Sequence, residues 1–475
     1  MFLHLLSCVI MSLIPAASTL APTEPPLIPK HPFVTVWNAR TERCQHLDIP
    51  LDTAAFQAVT TPASVPGQFL TIFYEDRLGL YPKIDPASRT RREGGVPQNG
   101  NLTAHLLKAR RQIDHYIAED ESPGLAVIDW ESWRPLWAQN WGSKRIYQKL
   151  SMANALQASP FLSLNEISQL AVDQFQRAGR SFMERTIQLG VRERPSRRWG
   201  FYLFPYCYNY NWDRPGYTGR CSAKKERNDE LSWLWNESTA LYPSIYLEAA
   251  LRDSAQARLF VRHRLVEAAR VSRLANGSYA VPVYPYVRPV YKDSKDEYMS
   301  EMDLVSTIGE AAALGAAGVI SWGDMDVTDS EDSCFDARRH LEDVMNPYIL
   351  NVSTASEMCS DALCQNRGRC VRKRWDDDVY LHLDPRRHRI QRRRRGGPLA
   401  VIGGGLSQDD VDWFDRHFDC MCYDERPCRS TKDVNAVQDN RYAKMTATSD
   451  HCNWYSQWEL AVTLTSDHRV WRRLL

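Results

Sequence analysis

The chain has 475 residues, of which 25% are charged and 43% hydrophobic. This composition excludes intrinsic disorder and suits one large domain plus a small one. The 59 Lys and Arg nearly cancel the 58 Asp and Glu, leaving a net charge of +1, so charge gives no reason to expect a nucleic-acid partner.

Residues 2–14 are almost all apolar and run into Pro15-Ala16-Ala17-Ser18. This reads as a secretory signal peptide, taken as residues 1–21. No other segment has 18 consecutive apolar residues, so no transmembrane helix is expected. Sequons at Asn101, Asn236, Asn276 and Asn351 agree with secretion. Cys8 leaves with the leader, so an odd number of cysteines remains and one has no partner within the chain.

A Pro-rich lead-in spans residues 22–32. Apolar, β-branched or aromatic runs then recur at 33–37, 69–74, 125–128, 200–204, 281–286 and 318–322, with a seventh near 241–246. Helical periodicity fills the intervals at 104–117, 165–189, 255–274 and 302–314. Strands alternating with helices predict a parallel sheet covered on both faces. About seven such units suit a distorted (β/α) barrel over residues 22–348. A doubly wound sheet is the alternative, but no GxGxxG follows the first strand. Cysteines then crowd together in residues 349–430, as in a small stapled module. Its interior, about 371–419, carries the basic run Arg386–Arg395 and reads as an exposed loop. Residues 431–475 form a tail.

The sharpest feature is Gly124-Leu-Ala-Val-Ile-Asp129-Trp130-Glu131-Ser-Trp133. Two carboxylates follow a buried strand, at the end where parallel barrels place their chemistry. Strand periodicity puts Asp129 and Glu131 on one face, with Cα atoms about 6.7 Å apart. Carboxylates this close resist double ionisation, so one holds a proton near neutral pH. A protonated Glu beside an ionised Asp can protonate a glycosidic oxygen. Trp130, Trp133, Trp137 and Trp141 could line a sugar cleft. Asp324 and Asp326, after the 318–322 strand, are a second pair. Glu75 and Asp76 would point to opposite faces. No HExxH, GxSxG or paired CxxC is present, so no metal and no cofactor are expected.

Together with Phe69–Tyr74, Gly94–Asn99, Trp199–Tyr202 and Leu241–Tyr246, the Asp-Trp-Glu strand resembles the animal hyaluronidase family over about residues 33–428. Two stretches, 76–82 and 300–310, resemble its hyaluronidase-2 type most. The resemblance implies an EGF-like C-terminal module and endo-hydrolysis of the β-1,4 bond after N-acetylglucosamine in hyaluronan, with retention. It makes Glu131 the general acid and then base, the substrate N-acetyl oxygen the nucleophile, and Asp129 the group that orients it. Tyr74, Tyr202, Tyr246 and Trp322 match groove-lining positions. The implied disulfides are Cys44–Cys334, Cys207–Cys221, Cys359–Cys370, Cys364–Cys420 and Cys422–Cys428, leaving Cys452 free or intermolecular.

The chain departs from the family pattern at three places. Tyr206 stands where an Asp is usual, the Cys422–Cys428 segment is short and lacks its Gly, and the charged tail lacks a lipid-anchor signal. Hyaluronan is the expected partner, with chondroitin as a further substrate, for a monomer that is secreted or lysosomal. The alternative is a hyaluronan-binding or cell-surface protein of weak activity.

Overall fold

The computed structural model describes residues 20–61, 65–85, 87–221, 225–274, 278–393 and 397–430. The signal peptide, the Asn276 sequon, Arg394 and Arg395, and the tail with Cys452 lie outside the described residues.

Seven strands carry the fold: β1 Val34–Ala39, β2 Ala58–Val59, β3 Leu70–Tyr74, β4 Gly124–Asp129, β5 Arg197–Phe201, β6 Tyr286–Val287 and β7 Gly318–Gly323. They form two parallel sheets, β2-β1-β7-β6 and β3-β4-β5. The segment 241–246, read as a strand, joins the sheets only through single bridges: Tyr202 to Tyr242, Leu241 to Val283 and Ser244 to Tyr286. Similarly, only the end of the expected 281–286 strand is regular. Pro243, Pro282, Pro285 and Pro289 lack the N–H that a ladder needs. Between β2 and β3 no main-chain pairing occurs among the described residues. The Leu70 N–H donates instead to Thr60 Oγ1 at 3.2 Å.

Strand alternation divides the core. Leu125 and Val127 of β4 share one core with Val34, Val36, Ile72, Tyr242 and Tyr286. Ala126 and Ile128 face the helices, with Phe73, Phe182, Trp199 and Trp235. The expected helices are present as Leu102–Tyr116, Leu164–Glu193 and Ala255–Ser272. Each starts at a side-chain cap: Asn101 accepts from Ala104 N–H, Ser163 from Glu166 N–H and Ser254 from Ala257 N–H. The 302–314 helix runs through a π-helical turn, Val305–Gly309. No described helix is long and apolar enough to cross a membrane.

The Cys-rich region begins within the helix Asn346–Cys364. Gly368–Arg372 then pairs antiparallel with Phe418–Cys422. The basic insert is not one exposed loop. His388–Arg392 pairs with Leu399–Gly403 as a hairpin, and the helix Gln408–His417 follows. Carboxylates hold its arginines: Arg387 meets Asp409 at 2.7 Å and Asp410 at 3.3 Å, and Arg392 meets Asp52 at 3.4 Å. All five implied disulfides are formed, namely Cys44–Cys334, Cys207–Cys221, Cys359–Cys370, Cys364–Cys420 and Cys422–Cys428.

Cys359, Cys364, Cys370 and Cys420 share one core with Phe260, Leu304 and Ile308. At that junction Glu310 is fully buried between Arg262 at 2.5 Å and Arg372 at 2.8 Å, and Tyr380 Oη donates to it at 3.0 Å. Truncating Glu310 leaves two buried guanidinium groups without their shared anion. Glu310→Ala is therefore expected to cost about 3–5 kcal/mol. A thermal midpoint equal to wild type would show that the cluster carries no such weight.

Candidate active site

Asp129 ends β4, opposite Tyr74 of β3. Its neighbour Trp130 turns the other way, into the helix-side core, where it stacks on Tyr81 at 4.7 Å. Asp129 and Glu131 thereby line one cavity of about 430 Å³, together with Ile72, Tyr202, Tyr246, Tyr286 and Trp322.

The turn after β4 is held by Glu75. Its Oε1 accepts from Ser132 N–H at 3.0 Å, Ser132 Oγ at 2.5 Å and Glu131 N–H at 3.4 Å, while Oε2 meets Lys83 at 2.7 Å. Lys144 Nζ donates to the Glu131 carbonyl, and burial pushes its ammonium down to about 8. Arg134 Nη1 also donates to that carbonyl, at 2.8 Å, and Nη2 meets the Glu131 carboxylate at 3.3 Å.

The two carboxylates differ in environment. Glu131 is half-exposed, at 51%, and paired. Asp129 is half-buried, and its Oδ1 is fully buried with no hydrogen-bond partner. Burial, reinforced by the charges of Glu131 and Glu75, pushes the Asp129 carboxyl up to about 7. Burial therefore favours the protonated form of Asp129 toward neutral pH. The sequence reading put the proton of the pair on Glu131, whereas the group that burial pushes toward protonation is Asp129.

Of the four groove positions, Tyr202, Tyr246 and Trp322 line the cavity. Tyr74 stands behind them and accepts from Trp322 Nε1 at 3.1 Å. Trp130, Trp133, Trp137 and Trp141 are absent from the lining. Trp133 stacks on Tyr81 at 5.3 Å, Trp137 meets Phe175 at 5.6 Å, and Trp141 is 59% exposed. The rival carboxylates each meet a base: Asp324 pairs with Arg288 at 2.8 Å and Asp326 with Lys295 at 3.1 Å. Among the described residues no group of three His, Cys, Asp or Glu is placed to hold a metal.

Three cations of the cavity wall were missed in the sequence: Arg264, Arg288 and Lys292. Arg264 lies on the 255–272 helix, held by Asn209 Oδ1 at 3.0 Å and the Ser244 carbonyl at 2.8 Å, with Nη2 unpartnered. Arg288 stacks over Trp322 at 5.3 Å, and Lys292 lies over Tyr210 at 5.7 Å. Cations on aromatic faces are an available signal, but one that needs the fold to assemble it.

A sequence profile described as hyaluronidase, of glycoside hydrolase family 56, matches residues 22–435. The chain belongs to the hyaluronidase family. It is 44% identical to mouse (Mus musculus) hyaluronidase PH-20 over 433 residues, covering 90% of this chain and 84% of that one. Human (Homo sapiens) hyaluronidase-2 is also 44% identical, over 415 residues, with 86% and 87% covered. Bee venom hyaluronidase, solved in complex with a hyaluronic acid tetramer, superposes with a TM-score of 0.60 at 32% identity, covering 67% of this chain and 98% of that one. The chain is thus a glycoside hydrolase by family membership.

Within this hyaluronidase the departure at Tyr206 takes a defined form. The ring is buried between Phe204 at 4.4 Å and Tyr208 at 5.5 Å, and the Arg134 guanidinium lies over it at 5.7 Å. Its hydroxyl is buried without a partner. Arg134 therefore meets one carboxylate, Glu131, among the described residues.

Two outcomes follow from these environments. Tyr206→Asp adds a negative charge beside Arg134 and the acid pair, and is expected to move the alkaline limb of the pH–rate profile up by roughly half a unit to one unit. Tyr206→Phe, which loses only an unpaired hydroxyl, should leave that limb in place. A profile identical in all three proteins would reduce Tyr206 to packing. Separately, because the folded pKa of Asp129 is raised, its stability contribution is present below 3.8 and is lost as pH rises through about 7. Asp129→Asn is expected to melt higher than wild type at pH 7.5 and no higher at pH 3.5. Equal midpoints at both pH values would contradict the raised pKa.

Proposed function

We propose that this hyaluronidase cleaves internal β-1,4 bonds after N-acetylglucosamine in hyaluronan, with retention and with assistance from the substrate. The observation that carries the reading is the convergence of Asp129 and Glu131 in one cavity with an aromatic lining and a cationic wall. The aromatic faces of Tyr202, Tyr246 and Trp322 suit sugar rings. Arg264, Arg288 and Lys292 suit the uronate carboxylates. The hyaluronic acid tetramer bound by bee venom hyaluronidase is the same class of ligand.

In this reading Asp129 accepts a hydrogen bond from the N-acetyl amide N–H, orienting its oxygen toward the anomeric carbon. That bond, and the positive charge developing on the acetamido group, favour ionised Asp129. The one proton of the pair then belongs on Glu131, which is the exposed member and faces the leaving oxygen. Glu131 donates it as the bond breaks and later takes a proton from the incoming water. Substrate binding thereby opposes the protonation of Asp129 that burial favours in the free protein.

The five disulfides support a route through the secretory pathway. Asn101 and Asn236 are exposed and suit glycan attachment. Asn351 instead lies within the 346–364 helix, where its Oδ1 accepts from Leu383 N–H at 2.8 Å. The paired strands Gly368–Arg372 and Phe418–Cys422, with their bridges, support the EGF-like reading.

Glu131→Gln is expected to retain hyaluronan binding and to lose hydrolysis by about 10²–10⁴-fold, measured as new reducing ends. Near wild-type turnover would remove Glu131 from the acid role. Binding by wild type without new reducing ends at any pH would favour the reading as a weakly active hyaluronan-binding protein.

A further inference from the structure

A two-stranded ribbon rises from the active end of the molecule. Lys83 and Ile84 pair with Arg92 and Arg91. Asp85 and Thr90 close the turn through the Asp85 N–H, which donates to the Thr90 carbonyl at 2.9 Å, and the Arg89 N–H donates to the Asp85 carbonyl at 2.9 Å. The base of the ribbon is fixed on both sides. Ile84 is buried, and its N–H donates to Tyr147 Oη at 3.1 Å. Lys83 Nζ meets Glu75, the carboxylate that also holds Ser132 and the Glu131 N–H. The ribbon is therefore two contacts away from the catalytic turn.

Its side chains have a one-sided charge balance. Arg89, Arg91 and Arg92 are all exposed, and none reaches a carboxylate at ion-pair distance among the described residues. Asp85, the acid of the ribbon, caps the turn: its Oδ1 accepts from Ser88 N–H at 2.7 Å and Ala87 N–H at 3.1 Å, and these bonds, with the nearby Arg92 charge, hold its carboxyl below the usual range. In the Arg386–Arg395 run, by comparison, carboxylates occupy Arg386, Arg387 and Arg392 at 2.8, 2.7 and 3.4 Å, while Arg389 and Arg393 are exposed. Three exposed guanidinium groups outnumber the acids Asp85 and Glu93 beside them, and on a fixed scaffold this net positive charge makes a field that attracts an extended polyanion. A polymer longer than the cavity must leave it, and hyaluronan carries a carboxylate on every disaccharide.

We propose that the ribbon Lys83–Arg92 is an accessory subsite for the anionic sugar chain outside the cleft, engaging uronate carboxylates through Arg89, Arg91 and Arg92. This rests on the hyaluronan reading above and extends it to substrate length. The subsite binds ground state and transition state alike, so it lowers KM for the polymer and leaves kcat alone.

The test is the triple variant Arg89→Gln, Arg91→Gln, Arg92→Gln in the full chain, with the Arg-to-Lys triple as the conservative control. On high-molecular-mass hyaluronan at low salt, about 20–50 mM, the Gln triple is expected to raise KM roughly five- to tenfold with kcat unchanged. At about 0.5 M salt the difference should vanish through screening. The Lys triple should stay close to wild type. On a hexasaccharide, all three proteins should agree. Equal KM for the polymer at low salt would overturn the proposal, as would an equal loss on the hexasaccharide, which would mean that the ribbon shapes the catalytic turn instead. A triple that loses binding to phosphatidylserine vesicles while keeping its hyaluronan KM would overturn it in favour of a membrane surface. If wild type cleaves neither substrate, the hydrolase reading fails. The gel mobility of fluorescent hyaluronan with wild type and with the triple then still decides the subsite.

Discussion

The active end depends on one carboxylate that holds the turn carrying Glu131. Glu75 binds the turn after β4 through two backbone N–H groups and a hydroxyl, and its second oxygen holds Lys83. Without that anchor Glu131 would sit on an unsupported loop beyond the strand end. With it, the residue keeps a fixed relation to Asp129, and Arg134 and Lys144 close on the same carbonyl. The cost is electrostatic, because a third carboxylate beside the pair helps to disfavour ionised Asp129.

The strand-end pair was legible in the sequence because a buried parallel strand announces itself by four apolar residues, and period two then fixes which neighbours share a face. Glu75 was not. An adjacent Glu75-Asp76 on an extended strand looks split between faces, yet the strand ends at Tyr74 and the chain turns there. Arg264 was hidden for a different reason. On the 255–272 helix it reads as one surface cation among several, and only the packed fold shows it buried against Phe260 at 4.1 Å. Similarly, β5 begins at Arg197, three residues before the apolar run. Arg197 is itself buried there, donating to the carbonyls of Gln68 at 2.8 Å and Phe69 at 2.9 Å.

Regularity of the parallel strands was overestimated where prolines interrupt the ladder, and underestimated in the basic insert. Alternation in His388–Arg392 sends His388 inward and Arg389 outward, but a run of arginines conceals that period. The disulfide set needed no such correction, since the family resemblance supplied the pairing and the geometry realises it.

The hairpin 388–403 lies wholly between Cys364 and Cys420, which are bonded to each other. A single cut of the backbone anywhere in that hairpin opens a loop without releasing a fragment. The covalent path from the helix 346–364 to residue 420 runs through sulfur as well as through peptide. The most arginine-dense segment of the chain is thus placed where a broken peptide bond leaves one molecule, with Phe418–Cys422 still tied to the helix 346–364.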